Sequence, residues 1–118
     1  MTVQALALTI GASLVLPGKN PACGIDRIYA GDRMSDLLEQ ASPSTLLVTR
    51  LANPHLFRLA ELMDVPAICL VRDAPPEAEL LQAAGACGSA LLVSAAGMEQ
   101  TCRLLEQCLG ADRAGQPA

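Results

Sequence analysis

Aromatic residues are nearly absent from this 118-residue chain: Tyr29 and Phe57 are its only such rings, and there is no tryptophan. With so few π faces the surface offers no stacking platform for bases, and the core must be assembled from Leu, Val, Ile, Ala and Met. Cations are also scarce. Eight Lys and Arg stand against twelve Asp and Glu, for a net charge of -4, and they occur singly, as at Arg27, Arg33, Arg50 and Arg58. A nucleic-acid surface needs a basic stripe, so no nucleic-acid partner is expected. The five cysteines, at positions 23, 69, 87, 102 and 108, form an odd set without a Cys-x-x-Cys pair. That pattern speaks against a disulfide framework and against a structural zinc site, so neither metal nor cofactor is expected. Cys69 sits inside an apolar run, where a thiol behaves as a small hydrophobe.

Long hydrophobic runs are missing too. The nearest approach, VQALALTIGASLVLP near the start, lacks a basic leader and a small-residue cleavage site, and it is too short and interrupted to cross a bilayer. A cytoplasmic protein without a membrane partner is the expectation. Gly18-Lys19 does not make a nucleotide loop, because the P-loop spacing and the Ser or Thr after the Lys are absent.

What is present is aliphatic and strongly patterned, with 52% hydrophobic residues. Residues 2–10 read as a short amphipathic helix stopped by Gly11, and Ser13 to Leu16 as a short strand closed by the turn-rich PGKNP. Ile25 to Ala30 reads as a strand, after which Met34, Leu37, Leu38 and Ala41 mark a helical face. TLLVT (45–49) and AICLV (67–71) are apolar on both parities, as strands covered on both faces require. Between them Asn53-Pro54 opens a helix, with Asn as N-cap and Pro preorganised for the first helical position. A further helix starts at Asp73 or at Pro75-Pro76 and ends at Gly85, Ala90 to Val93 is a strand, and Met98, Cys102, Leu105 and Leu109 line a last helix before Gly110. This alternation predicts a single compact α/β domain over residues 1–110, with a mostly parallel sheet of about five strands and helices on both faces. ADRAGQPA (111–118) has too little apolar content to pack and reads as a mobile tail.

Two junctions look like sites. In Gly31-Asp32-Arg33-Met34-Ser35-Asp36 a strand end meets a helix start, where backbone N–H groups attract an anion and Ser35 adds a hydroxyl. The competing and preferred assignment is that Asp32 or Ser35 caps the helix. Thr49, Arg50, Asn53 and His55 form the second junction, at the edge where such folds bind ligands. His55 is the only histidine, with no nucleophile or metal partner beside it in sequence. Gly31, Asp32, Ser35, Thr49, Asn53 and His55 together are the candidate ligand edge. Cys23, in a loop beside Pro21 and Gly24, is the cysteine best placed for redox sensing, although an ordinary loop thiol is the simpler assignment.

Three stretches, IYAGDRMSDLLEQA, TLLVTRLANPHLFRLAELMDVPAICLV, and PPEAELLQAAG through ALLVS, resemble the DRTGG domain family in order and spacing, and with the final helix they cover nearly the whole chain. The Gly-Asp-x-x-Ser-Asp pattern and the strand-Thr-x-x-x-Asn-Pro arrangement carry most of the likeness. Members occur as free-standing small proteins, some beside hydrogenase and electron-transfer genes, and as modules of phosphate acetyltransferases and of pyrophosphatases bearing CBS domains. The resemblance implies a compact module that dimerises and serves regulation, without a catalytic centre. This chain departs from the family at Arg72-Asp73-Ala74-Pro75, where members often carry a Thr-Gly-Gly turn, and Ala-Pro removes both the open space and a donor that a glycine turn would offer an anion.

The expected function is therefore a non-catalytic regulatory and dimerisation module sensing a small anionic or nucleotide-like ligand. Its rival is a scaffold that docks a redox-metabolism enzyme or a kinase through an apolar surface, in keeping with a mean hydropathy of +0.37. A small hydrolase or transferase would have to use His55 with Cys23 or Ser35, and no such pair follows from spacing.

Overall fold

The two runs that are apolar on both parities become the strands buried at every position: β3, Thr45–Thr49, and β4, Ala67–Val71. Our computed structural model describes residues 2–19 and 24–114, with side chains described through residue 109. The remaining elements are α1 (Val3–Ile10), β1 (Ser13–Leu16), β2 (Arg27–Ala30), α2 (Met34–Gln40), α3 (Pro54–Leu62), α4 (Ala78–Cys87), β5 (Ala90–Ser94) and α5 (Met98–Ala114). They build one five-stranded sheet in the order β1-β5-β4-β3-β2. β2 through β5 run parallel, and β1 closes the far edge antiparallel to β5, with its register broken between Leu14 and Leu16. The expected α/β class, with a mostly parallel sheet and two helical layers, is what forms.

Alternate strand residues feed two separate cores. Leu46, Val48, Ala67, Cys69, Ala90 and Leu92 face α1 and α5, packing on Leu6, Ile10 and Leu105. Leu47, Ile68, Leu70 and Leu91 face α2, α3 and α4, packing on Leu37, Phe57 and Leu80. Phe57 is only 1% exposed and fills the centre of this second layer, so one ring does the work that aliphatic side chains do elsewhere.

The split of helices between the layers has a topological consequence. The connections after β2, β3 and β4 all lead to the same face, whereas the connection after β5 leads to α5 on the other. β4 and β5 are neighbours, so the chain paths diverge between their C-terminal ends.

Several helix limits differ from expectation. α4 begins at Ala78, because Arg72 to Glu77 form a loop, and it passes Gly85 to end on the left-handed Gly88. α5 passes Gly110 and continues to Ala114, so residues 111–114 of the expected tail are helical. An interior glycine costs a helix only about 1 kcal/mol, which neighbouring turns absorb. Cys23, the turn residues around it, and residues 115–118 lie outside the described residues. Among the described residues no helix is long and apolar enough to cross a membrane.

Candidate functional site

The β2–α2 connection carries Asp32 across to the β3–α3 connection. The Asp32 carboxylate accepts from the Arg50 guanidinium, Nε at 3.0 Å and Nη2 at 2.6 Å on Oδ2, and from the Arg50 backbone N–H at 2.8 Å on Oδ1. The buried Thr49 hydroxyl donates to the same Oδ1 at 3.3 Å and accepts from the Leu51 N–H at 3.0 Å. Charged hydrogen bonds stabilise the ionised carboxylate, so the Arg50 guanidinium holds the Asp32 carboxyl below its usual range. The same pairing raises the Arg50 pKa.

This geometry overturns the capping assignment. The N-cap of α2 is Arg33, whose side chain makes no capping bond, while Asp32 is turned toward β3 and Ser35 lies exposed in the first turn. Asp32 goes where a guanidinium and a free backbone N–H are both within reach, since two charged bonds outweigh a single cap. The Gly31 N–H, a candidate phosphate donor, extends the ladder to the Val48 carbonyl at 3.0 Å, and the Tyr29 ring lies close enough that a Cβ on Gly31 would sit 3.2 Å from Cε2. The first junction is thus a clasp between two loops.

At the second junction Asn53 behaves as expected. It is the N-cap of α3, its Oδ1 accepting from the His55 N–H at 3.0 Å, with Pro54 in the first turn. The His55 side chain is exposed just beyond it. Gly31, Asp32 and Thr49 are therefore brought together around Arg50, Asn53 is engaged in its own helix, and Ser35 stands apart. Arg50 is the centre of the arrangement, with a side chain 62% exposed against 36% for Asp32. Its Nη1 makes no hydrogen bond among the described residues, which leaves donors directed to solvent.

Two features had no signal in the sequence. Arg72, at the end of β4, pairs with Glu77 across the loop at 2.7 Å and is only 23% exposed. The buried hydroxyls of Ser94 and Thr101 share a 2.7 Å hydrogen bond that ties β5 to α5. At the opposite edge of the sheet, Lys19, Glu61, Asp64 and Cys87 contribute to an open cleft of about 290 Å³. Among the described residues no three His, Cys, Asp or Glu side chains come together as a metal site.

Neither a protein-family profile nor a curated protein matches the sequence. The fold, however, is similar to that of a solved structure, the CBS and DRTGG domains of the regulatory region of Clostridium perfringens pyrophosphatase, crystallised with its activator diadenosine tetraphosphate. The two superimpose with a TM-score of 0.65 at 11% identity, over 90% of this chain and 46% of the other. At that identity the likeness is one of fold: the chain has the architecture found within that regulatory region and spans less than half its length.

Proposed function

We propose that this chain is a non-catalytic regulatory module of the DRTGG type, which forms homodimers in the cytoplasm and senses a small anionic or nucleotide-like ligand. The observation that carries the reading is the Arg50 guanidinium, fixed in orientation by Asp32 yet largely open to solvent at the C-terminal edge of the sheet. An anion arriving there meets a preoriented planar donor in the same connection that leads into the N-terminus of α3 and His55. The fold supports the reading, because it is one used in a regulatory region. Leu38, Leu62 and Met63, exposed by 39%, 78% and 39% on α2 and at the end of α3, supply apolar surface for a second copy.

Thermal-shift titration with ADP and with inorganic phosphate tests the ligand, and light scattering tests the dimer. A ligand at a hundred times its dissociation constant stabilises the fold by about 2.7 kcal/mol, a readily measured rise in melting temperature. Arg50→Ala is expected to abolish the shift, and Asp32→Asn to enlarge it by releasing the guanidinium from its counter-ion. Leu62→Glu is expected to yield a monomer. No shift from either compound, together with a monomeric wild-type protein, refutes the proposal. The same exposed apolar residues favour the scaffold reading as the second choice, and capture of a redox-metabolism enzyme unaffected by Asp32→Ala and Asn53→Ala would decide for it.

A further inference from the structure

The diverging connections after β4 and β5 leave a cleft of about 360 Å³ at the C-terminal edge of the sheet, bounded by the loop 72–76 and by β1. Parallel sheets commonly bind ligands where adjacent connections part in this way, and the volume lies within the range of about 300–1,000 Å³ of small-molecule sites. Val93, its cross-strand partner Ser13 and the partly exposed Val15 line the strand side. The rings of Pro75 and Pro76 line the loop side. Branched side chains on one side and proline rings on the other suit a flat, weakly polar group.

Charge narrows the choice further. Arg72 is on the lining, but both oxygens of Glu77 take its guanidinium, at 2.7 and 3.4 Å, so its charge is compensated. Pro75 and Pro76 have no N–H to offer an oxyanion. The uncompensated charge is Asp73, exposed on the lining and without a side-chain hydrogen bond or ion pair among the described residues. A carboxylate accepts hydrogen bonds from hydroxyl or amine groups and repels phosphate.

We infer that this cleft binds the uncharged nucleoside part, base and ribose, of a nucleotide-like ligand, with the base between Val93 and the Pro75–Pro76 rings and the ribose hydroxyls donating to Asp73. The ligand class rests on the regulatory reading above, while the location and the exclusion of phosphate come from the cleft itself. Any phosphates of the ligand remain outside the cleft.

The test is a titration of the full-length, isotopically labelled protein with adenosine, ADP and inorganic phosphate, followed by two-dimensional NMR. Adenosine and ADP are each expected to shift the signals of Val15, Val93 and Ala95, and phosphate to leave them in place. Asp73→Ala is expected to weaken adenosine binding about 10-fold, the loss of a hydrogen bond to a charged group. Ala95→Phe, at an exposed position on the cleft lining, is expected to abolish binding by filling the space. Should that variant prove less stable than wild type, Asp73→Ala carries the decision, since it removes no packing. Unmoved Val15, Val93 and Ala95 signals in millimolar adenosine, or undiminished adenosine affinity in both variants, overturn the inference. If ADP or phosphate then still perturbs Arg50 and His55, the regulatory reading stands without it. Silence from all three compounds removes this inference and the ligand half of the regulatory reading.

Discussion

Gly11 and Gly18 share almost the same left-handed backbone, with φ of +73° and +75°, but not the same surroundings. A Cβ on Gly11 would meet nothing within 4 Å, whereas on Gly18 it would lie 2.7 Å from the Ala90 backbone nitrogen and 3.2 Å from both the Ala90 Cα and the Gly88 carbonyl oxygen. Alanine at either position incurs the left-handed penalty of about 1–2 kcal/mol. At Gly18 the clash is with main chain at the start of buried β5, beside the 2.9 Å bond from the Lys19 N–H to the Gly88 carbonyl, so no side chain can rotate away. Overpacking of that kind adds about 1–3 kcal/mol. Gly18→Ala is therefore expected to destabilise by about 3 kcal/mol or more, against about 1–2 kcal/mol for Gly11→Ala. In a domain of this size the difference corresponds to a further fall in melting temperature of several degrees, about 3–5 °C per kcal/mol. The alanine reduces unfolded-chain entropy alike in both variants, so that effect cancels. Urea unfolding with a common m-value is the assay. Equal destabilisation by the two substitutions would refute the steric argument and with it the close packing of the β1 exit on β5.

The Ser94–Thr101 pair yields a second expectation: Thr101→Val and Ser94→Ala each destabilise by about 1–3 kcal/mol by stranding a buried hydroxyl, and the double variant by clearly less than their sum in a double-mutant cycle. Asp32 has a depressed folded pKa, so its stabilising contribution is full above the unfolded value of about 3.9 and is lost as pH falls through the folded one. Acid unfolding of Asp32→Asn is expected to show a shallower pH dependence below about pH 4, and an unchanged acid limb would count against the clasp. Burial pushes the Cys69 thiol up to about 12, so the folded chain keeps that proton while the unfolded chain releases it from about pH 8.5. Stability is then expected to fall as pH rises from that point toward 12, and alkylation at pH 8 to spare Cys69 while, among the cysteines of the described residues, half-buried Cys102 reacts first, as mass spectrometry would record.

The parts of the fold that could be read in advance are those written locally. TLLVT and AICLV match their strands residue for residue, since a short apolar run between turn residues leaves little choice, and Asn53-Pro54 marks a helix start through its own side-chain chemistry. Asp32 was legible as special but not as a clasp. Its partners, Thr49 and Arg50, come from the next strand's end, and only the parallel pairing of β2 with β3 places them beside it. The Arg72–Glu77 loop hid for a related reason. Pro75-Pro76 suits a helix start in isolation, whereas here the chain first has to cross the divergence between β4 and β5 before α4 can pack on the sheet. The glycine stops at 85 and 110 were overridden because tertiary contacts along α4 and α5 outweigh a single weak position.

The order of the strands also divides the molecule by how far apart its pairing partners lie along the chain. β2, β3 and β4 each lie beside the next strand in sequence, so the contacts from β2 through β5 close short loops. β1 instead pairs Ser13 with Val93, and α1 packs against α5 in the same core layer. Loop-closure entropy makes those contacts slow to form unless the ladder from β2 to β5 already exists. In pulsed hydrogen exchange during refolding the amides of β3 and β4 are thus expected to gain protection before those of β1. On this expectation the antiparallel edge strand is the kinetic latch of the fold, docking last and peeling away first.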